Sequence, residues 1–128
     1  MQLKNNLYTI EGVENDGKTT CFHLRLNPSS VIYRAHFPNE PITPGVCIVQ
    51  IAKELIEEVL QCRLDIAVVK NVKFLSVLSP DETTEVIFHI QKLTVSEDTS
   101  EVKSQVDVLT DKEIKAKVSL VCKQHGSH

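Results

Sequence analysis

The sequence predicts an α+β domain in which a curved antiparallel β-sheet wraps around one long central α-helix. Only the stretch from about Gly45 to Cys62 has the length and apolar content of a long helix. The segments after it alternate apolar and polar residues, and short polar turns separate them, which is typical of antiparallel strands. One helix packed on one face of such a sheet buries the apolar surfaces of both.

The composition indicates one globular domain, over 1–123, followed by a short polar tail over 124–128. Hydrophobic residues make up 41% of the 128 residues and charged residues 24%, which are ordinary globular values. The net charge of −3 offers no basic surface for nucleic acid. The N-terminus lacks the apolar run of a signal peptide, and no segment is long enough to span a membrane. We therefore expect a cytoplasmic protein with no nucleic-acid partner and no membrane insertion.

The four cysteines lie far apart and include no CxxC pair, so we expect buried apolar thiols and not a disulfide framework or a metal site. No other pattern in the sequence indicates a cofactor. Neither a metal nor a cofactor is expected.

The chain before the helix predicts a β-hairpin and a connecting segment. Leu3–Val13 and Thr19–Leu26 read as strands, joined by the turn residues of 15–18. Residues 27–30 interrupt the pattern, and Val31–Ala35 reads as a short extended piece. After the helix, the alternation predicts four further strands, over Ile66–Leu75, Thr84–Val95, Glu101–Leu109 and Ile114–Cys122.

A proline-rich loop precedes the helix. Pro38, Pro41 and Pro44 each fix their own φ and bias the preceding residue towards extended geometry. Such a loop has little conformational freedom, so it can present a neighbouring side chain such as His36 in a defined place. A polar residue followed by a rigid turn that opens a helix is a plausible way to build a site.

The helix itself divides into two parts. Residues 46–52 are apolar on nearly every side, which predicts burial all round. The second half is amphipathic. Gln50 lies on the line that continues through Glu54, so its simplest interpretation is the beginning of the exposed polar face.

The segment from His36 to Val46, HFPNEPITPGV, resembles the signature of the hotdog-fold 3-hydroxyacyl-(acyl carrier protein) dehydratases, which reads approximately HFPGxP[IV]MPG. Asn39 replaces the family's first glycine and Thr43 its methionine. A second segment, Lys73–Asp81, is similar to the family's later KFxxPVxPGD pattern, without its glycine. The positions of the first segment that match in type and spacing are His36, Phe37, Pro38, Pro41, Ile42, Pro44, Gly45 and Val46.

The resemblance implies an activity and an assembly. Members of this family are dimers with the active site at the interface, so a homodimer, or a higher oligomer of dimers, is expected. The substrate implied is a 3-hydroxyacyl or enoyl thioester, on acyl carrier protein or coenzyme A, in fatty acid or related acyl-chain synthesis. The motif histidine, here His36, is the implied general base. The helix-start amides of Gly45 and Val46 would hold the thioester carbonyl, and Phe37 and Pro44 would contact the substrate.

One position departs from the family. Fourteen residues after His36, where the family's partner protomer supplies a carboxylate, stands Gln50. An amide does not titrate in a useful range, so Gln50 cannot be the general acid. Glu54, one turn further along the helix and also a candidate substrate contact, would need the substrate shifted by about 5–6 Å. Glu40, in the loop, is a second neighbouring acid.

Three interpretations of this departure stay open. In the first, the chain is a dehydratase-like enzyme in which His36 transfers the protons and Gln50 positions the hydroxyl or water. In the second, it is a hotdog thioesterase, with the amide orienting the attacking water. In the third, it is a non-catalytic acyl-binding or partner subunit.

Several further residues have a structural and a functional interpretation. His23 and His89 lie in alternating strands and are more simply strand residues than site residues. Cys47 stands in the first turns of the helix, where a lowered thiol pKa is conceivable, but its apolar neighbours favour a core residue. A basic docking face for an acidic carrier protein could include Arg34, Lys53, Lys70 and Lys73.

Overall fold

The strands and helices follow the predicted order with one addition. The structure is a computed structural model that describes residues 2–36 and 39–126; the side chain of His36 lies outside the described part. The elements are β1 (Tyr8–Asn15), β2 (Thr20–Leu26), α1 (Val31–His36), α2 (Gly45–Leu60), β3 (Leu64–Phe74), β4 (Glu85–Val95), β5 (Glu101–Leu109) and β6 (Ile114–Gln124).

The six strands form one antiparallel sheet in the order β1-β2-β4-β5-β6-β3. Register shifts interrupt β1, β3, β4 and the β5–β6 pair. Such bulges bend the strand that carries them and increase its twist. They supply the curvature that lets the sheet enclose a helix.

Helix α2 packs against the inner face of this sheet, and the core lies between them. The alternation in β2 and β4 is confirmed, because Phe22, Leu24, Val86, Phe88 and Ile90 are all buried. The buried helix residues that meet this face include Ile48, Ile51, Ala52, Leu55 and Ile56.

The expectation of an extended piece over Val31–Ala35 is wrong, because Val31–His36 forms helix α1. The preceding turn starts the helix. The Ser30 backbone carbonyl accepts from the Tyr33 amide at 3.2 Å, and the Ser30 hydroxyl accepts from the Ile32 amide at 3.3 Å. Serine is a preferred residue at this position of a helix. The sequence signal was therefore present at Ser30 but outweighed by the β-branched pair that follows it.

The burial predicted for helix α2 is wrong at two positions. Val46, expected in the core, is 70% exposed, because the first turn of the helix stands at the protein surface. Glu54, expected on the exposed face, is only 6% exposed, because the N-terminal segment covers it. The burial of both residues depends on other chain segments, and helix periodicity does not predict where those segments lie.

The first residues of the predicted polar tail, Gln124 and His125, are held by the fold. Strand β6 extends to Gln124, and the backbone amide of His125 donates to the Arg63 carbonyl at 2.9 Å. The His125 ring lies 2.9 Å from an Asp65 carboxylate oxygen. None of the helices in the described ranges is long and apolar enough to cross a membrane.

Candidate functional site

The start of helix α2 offers free backbone donors at the protein surface. Pro44 precedes the helix in extended conformation and makes no side-chain cap. The amides of Cys47 and Ile48 donate to the Pro44 carbonyl at 2.9 and 3.1 Å. Within 2–36 and 39–126, no acceptor meets the amides of Gly45 and Val46. Such amides, aligned with the helix dipole, favour a ligand oxygen that carries negative charge.

An apolar groove of about 410 Å³ opens beside these amides. The Phe74 ring forms part of its wall and lies against Gly45. A Cβ atom built on Gly45 would meet Phe74 Cζ at 2.6 Å, so the ring can approach this closely only because residue 45 has no side chain. The groove is lined by Ile42, Thr43, Gly45, Ile48, Phe74, Leu75, Ser76, Val77 and Leu78.

Thr43 anchors the loop that leads into the helix. Its amide donates to the Leu78 carbonyl at 2.8 Å, and its hydroxyl lies 2.9 Å from the Tyr33 hydroxyl. Burial raises the pKa of Tyr33, so the phenol stays protonated and able to donate. This contact accounts for a hydroxyl at a position where the resemblance expects methionine.

Glu54 is fully engaged inside the fold. Its Oε2 accepts from the Leu3 amide at 2.8 Å, and its Oε1 from the Lys4 amide and the Tyr8 hydroxyl, both at 2.9 Å. Burial and then this carboxylate raise the pKa of the Tyr8 phenol, which therefore remains a donor. Glu54 therefore fastens the N-terminal segment to the helix. The substrate contact predicted for Glu54 stays a prediction.

Gln50 is joined to the same carboxylate. Its Nε2 donates to Glu54 Oε2 at 2.9 Å, and its side chain is half-buried. It faces a polar groove of about 460 Å³ that also contains Lys53, Arg63 and His125. The interpretation of Gln50 as the mere beginning of an exposed face is therefore incomplete, because Glu54 holds its amide in place.

Replacing Glu54 with alanine should lower the free energy of unfolding by about 3 kcal/mol, because it leaves the Leu3 amide and the Tyr8 hydroxyl buried without an acceptor. Urea denaturation measures the loss. Glu58→Ala is the matched control, since Glu58 makes only a part-exposed ion pair with Lys4 and should cost less than about 1 kcal/mol. Equal losses in both variants would contradict the anchoring role.

The predicted site residues are brought together only in part. Pro44, Gly45, Val46 and Gln50 lie along the first turns of α2. His36 is the last residue of α1, but its side chain, with Phe37 and Pro38, lies outside the described residues. The part of the site that the structure describes is therefore the helix start and its groove.

The other candidate residues do not line the apolar groove. His23 and His89 alternate with the buried core residues of their strands and face away from α2, and His23 Nε2 lies 2.6 Å from Glu14. Cys47 is 4% exposed, and burial raises the pKa of its thiol, so its interpretation as a core residue is confirmed. All four cysteines are free. Among the described residues, no cluster of side chains could hold a metal ion.

The proposed basic face is spread over several elements. Arg34 lies on α1, whereas Lys70 and Lys73 are exposed on β3. Lys53 lies on α2 with its Nζ 3.8 Å from a Glu57 oxygen. The docking face stays a prediction.

The sequence interpretation did not single out Lys115. It alternates with the apolar residues of β6 and is expected on the solvent side, yet its side chain is only 3% exposed. Its Nζ lies 2.8 Å from Glu113 and 3.0 Å from the Val77 carbonyl. A lysine in the first positions of a strand gives no sequence signal for such burial.

The fold and family of the chain follow from comparison with known proteins. The chain resembles a dehydratase heterocomplex, ApeI:P, from Xenorhabdus doucetiae, with a TM-score of 0.68 and 18% identity over 89% of this chain and 96% of that one. It resembles a candidate thioesterase, yhdA, from Lactococcus lactis, with a TM-score of 0.65 and 14% identity over 97% of both chains. It resembles an uncharacterized protein from Erwinia carotovora subsp. atroseptica, with a TM-score of 0.61 and 16% identity over 91% of this chain and 94% of that one.

These similarities confirm the predicted hotdog fold. No curated protein sequence matches the chain. The family model described as ApeI dehydratase matches residues 12–116, most of the chain. The resemblance to hotdog dehydratases is thereby confirmed at the level of the family, and the chain belongs to the ApeI-like dehydratase family.

Proposed function

We propose that the chain is a hydro-lyase-like protein that acts on 3-hydroxyacyl or enoyl thioesters carried by acyl carrier protein or coenzyme A. The observation that carries the proposal is the start of α2 in a chain of the ApeI-like dehydratase family. There the amides of Gly45 and Val46 meet no acceptor among the described residues, and Gly45 lines an apolar groove. The amides suit a thioester carbonyl, and the groove suits an acyl chain.

In the proposed reaction, His36 removes the proton from the α-carbon of the substrate. Negative charge then develops on the thioester oxygen, where the amides of Gly45 and Val46 stabilise it. The bond from the β-carbon to the hydroxyl breaks as the double bond forms. His36 returns its proton to the departing hydroxide, which leaves as water. Gln50 lies in a different groove from Gly45, so the Gln50 that positions this hydroxyl by hydrogen bonding is supplied by the second protomer of the proposed dimer, where Glu54 holds it.

The experiment is an assay of the purified protein on two thioester reactions. A 3-hydroxyacyl thioester of N-acetylcysteamine reports dehydration through the ultraviolet absorbance of the enoyl product, and thiol release reports hydrolysis. Dehydration without hydrolysis is the expected result. Hydrolysis alone would overturn the proposal in favour of a thioesterase.

A second candidate is a partner subunit that binds an acyl thioester without turning it over. Two observations favour it. Gln50 cannot act as a general acid, and one structural neighbour is part of a dehydratase heterocomplex. Binding of an enoyl thioester with no turnover, followed by turnover when a second hotdog chain is added, would establish this function.

We also propose a dimer formed along β3. This strand ends the sheet, and Val68, Val69 and Phe74 on it are each about half exposed (49%, 47% and 53%). Apolar edge strands pair readily with a second chain. Light scattering should therefore give twice the monomer mass at micromolar concentration. Val69→Lys should yield the monomer, whereas Val13→Lys, on the opposite edge strand, should not. A monomeric wild type would contradict the homodimer.

A further inference from the structure

The loop between β3 and β4 forms one wall of the apolar groove. Leu75, Ser76, Val77 and Leu78 all line it. Leu75 and Val77 are 55% and 51% exposed, so little packing holds their side chains. Leu78, in contrast, is buried in the core. The position of residues 75–77 therefore depends on hydrogen bonds, and so does the shape of this side of the groove.

The buried ammonium of Lys115 supplies several of those bonds. It lies 3.0 Å from the Val77 carbonyl, 3.4 Å from the Ser76 hydroxyl and 3.4 Å from a Glu82 oxygen. Its shortest contact is 2.8 Å, to Glu113, which also accepts from the Ser76 hydroxyl at 2.9 Å. The Lys115 ammonium thus connects Val77 and Glu82, near the two ends of the loop, to Glu113 in the turn before β6.

A bulge aims Lys115 at the loop. Val108 is opposite Ala116, but Leu109 is opposite Ile114, so Lys115 has no partner on β5. Extra residues of this kind redirect a side chain. The Lys115 carbonyl accepts from the amides of Leu75 and Ser76, at 2.9 and 3.2 Å. Main chain and side chain of one residue therefore hold the same loop.

The oxygens around Lys115 stabilise its charged form inside the fold. A buried ammonium is costly unless several oxygens surround it. The hydrogen bond from Lys115 to Glu113, its largest influence, raises the pKa of Lys115 against the opposing effect of burial. Lys115 therefore remains charged, and the oxygens that satisfy it are the ones that fix the loop.

We propose that Lys115 is a positioning residue that holds the β3–β4 loop as one wall of the apolar groove, and that this wall makes the protein prefer long acyl chains to short ones. The inference rests on the proposed function. With methionine at this position the volume and the main-chain bonds to Leu75 and Ser76 are kept, but the four side-chain contacts are lost. Val77 then no longer presents a fixed apolar surface. A long chain loses contacts with this wall, whereas a short chain bound at the helix amides does not.

The test compares wild type, Lys115→Met and the milder Ser76→Ala on 3-hydroxydecanoyl and 3-hydroxybutyryl thioesters of N-acetylcysteamine. Lys103→Met is the matched control, because Lys103 is an exposed strand lysine whose Nζ lies 3.8 Å from a Glu101 oxygen. Lys115→Met should raise KM for the long chain about 10-fold, the scale of one or two lost apolar contacts, and leave the short-chain kcat and KM within about 2-fold. Ser76→Ala should shift the same ratio in the same direction by less.

Amide hydrogen exchange of residues 76–82 provides the readout that does not depend on turnover. Exchange there should rise about 10-fold or more in Lys115→Met, with β4 and β5 unchanged. Unchanged exchange, or equal losses for both chain lengths, would overturn the inference while leaving the proposed function intact. A wild type that neither binds nor turns over either thioester would overturn the proposed function, and the chain-length role of Lys115 with it.

Discussion

Replacing His36 with alanine is expected to lower kcat for dehydration of a 3-hydroxyacyl thioester by about 10²–10⁴-fold, the usual contribution of a general base. The substitution removes the only group that we assign to proton transfer. KM should change little, because the helix amides and the groove still bind the thioester. Steady-state rates with the 3-hydroxydecanoyl thioester measure both constants.

His23→Ala is the matched control for this loss. His23 is a histidine outside the proposed site: it is half exposed, on the sheet face away from α2. Its substitution should leave kcat unchanged, and circular dichroism should show both variants folded. A fully active His36→Ala would make the motif histidine structural and would refute the proposed mechanism.

Replacing Gln50 with glutamate is expected to raise dehydration by about 10²-fold, because it restores a carboxyl group where the resemblance expects the general acid. The structure adds a reason. Gln50 Nε2 lies 2.9 Å from Glu54 Oε2, so the new carboxyl group would contact an existing carboxylate. Two carboxylates in contact cannot both ionise readily, so the pair retains one proton near neutral pH. That proton is the one that a general acid needs.

The same pair should make the stability of Gln50→Glu depend on pH. The folded variant holds a proton that carboxyl groups of the unfolded chain have lost above about pH 4.3. The unfolded state therefore binds fewer protons, so stability falls as pH rises and is highest on the acid side. Thermal unfolding between about pH 5 and pH 8 measures the slope.

The double variant Gln50→Glu with Glu54→Gln separates these effects. It keeps the new acid but removes the neighbouring charge, so the added pH dependence of stability should disappear. Wild type and Gln50→Glu that are equally active would show that the amide already suffices. Acyl binding with no turnover in either form would favour the partner subunit.

Much of the fold could be predicted from the sequence. The core faces of β2 and β4 follow period two, and the observed bounds of β5, Glu101–Leu109, are the predicted ones. Helix α2 was predicted to begin at about Gly45 and begins at Gly45. These features depend on local patterns, since alternation and turn residues act over a few positions.

The features that could not be predicted depend on distant contacts. Glu54 is buried because Leu3, about fifty positions away, lies against it. Lys115 is buried because the β3–β4 loop folds over it. Helix α1 was not predicted, because the β-branched pair Val31 and Ile32 favours an extended strand and only the cap at Ser30 favours a helix.

The sequence by itself determined the single long helix and the antiparallel strands, because these depend on residue type and spacing. The motif around His36 carried the resemblance that predicted the hotdog fold, and that resemblance implies an acid where Gln50 stands. Tertiary structure alone decided that the Gln50 amide is held by a buried Glu54, and that Lys115 holds the wall of the groove. Both facts require segments far apart in sequence to bring donors and acceptors within hydrogen-bonding distance. Burial then makes those contacts obligatory, since an unpaired polar group inside the fold is costly.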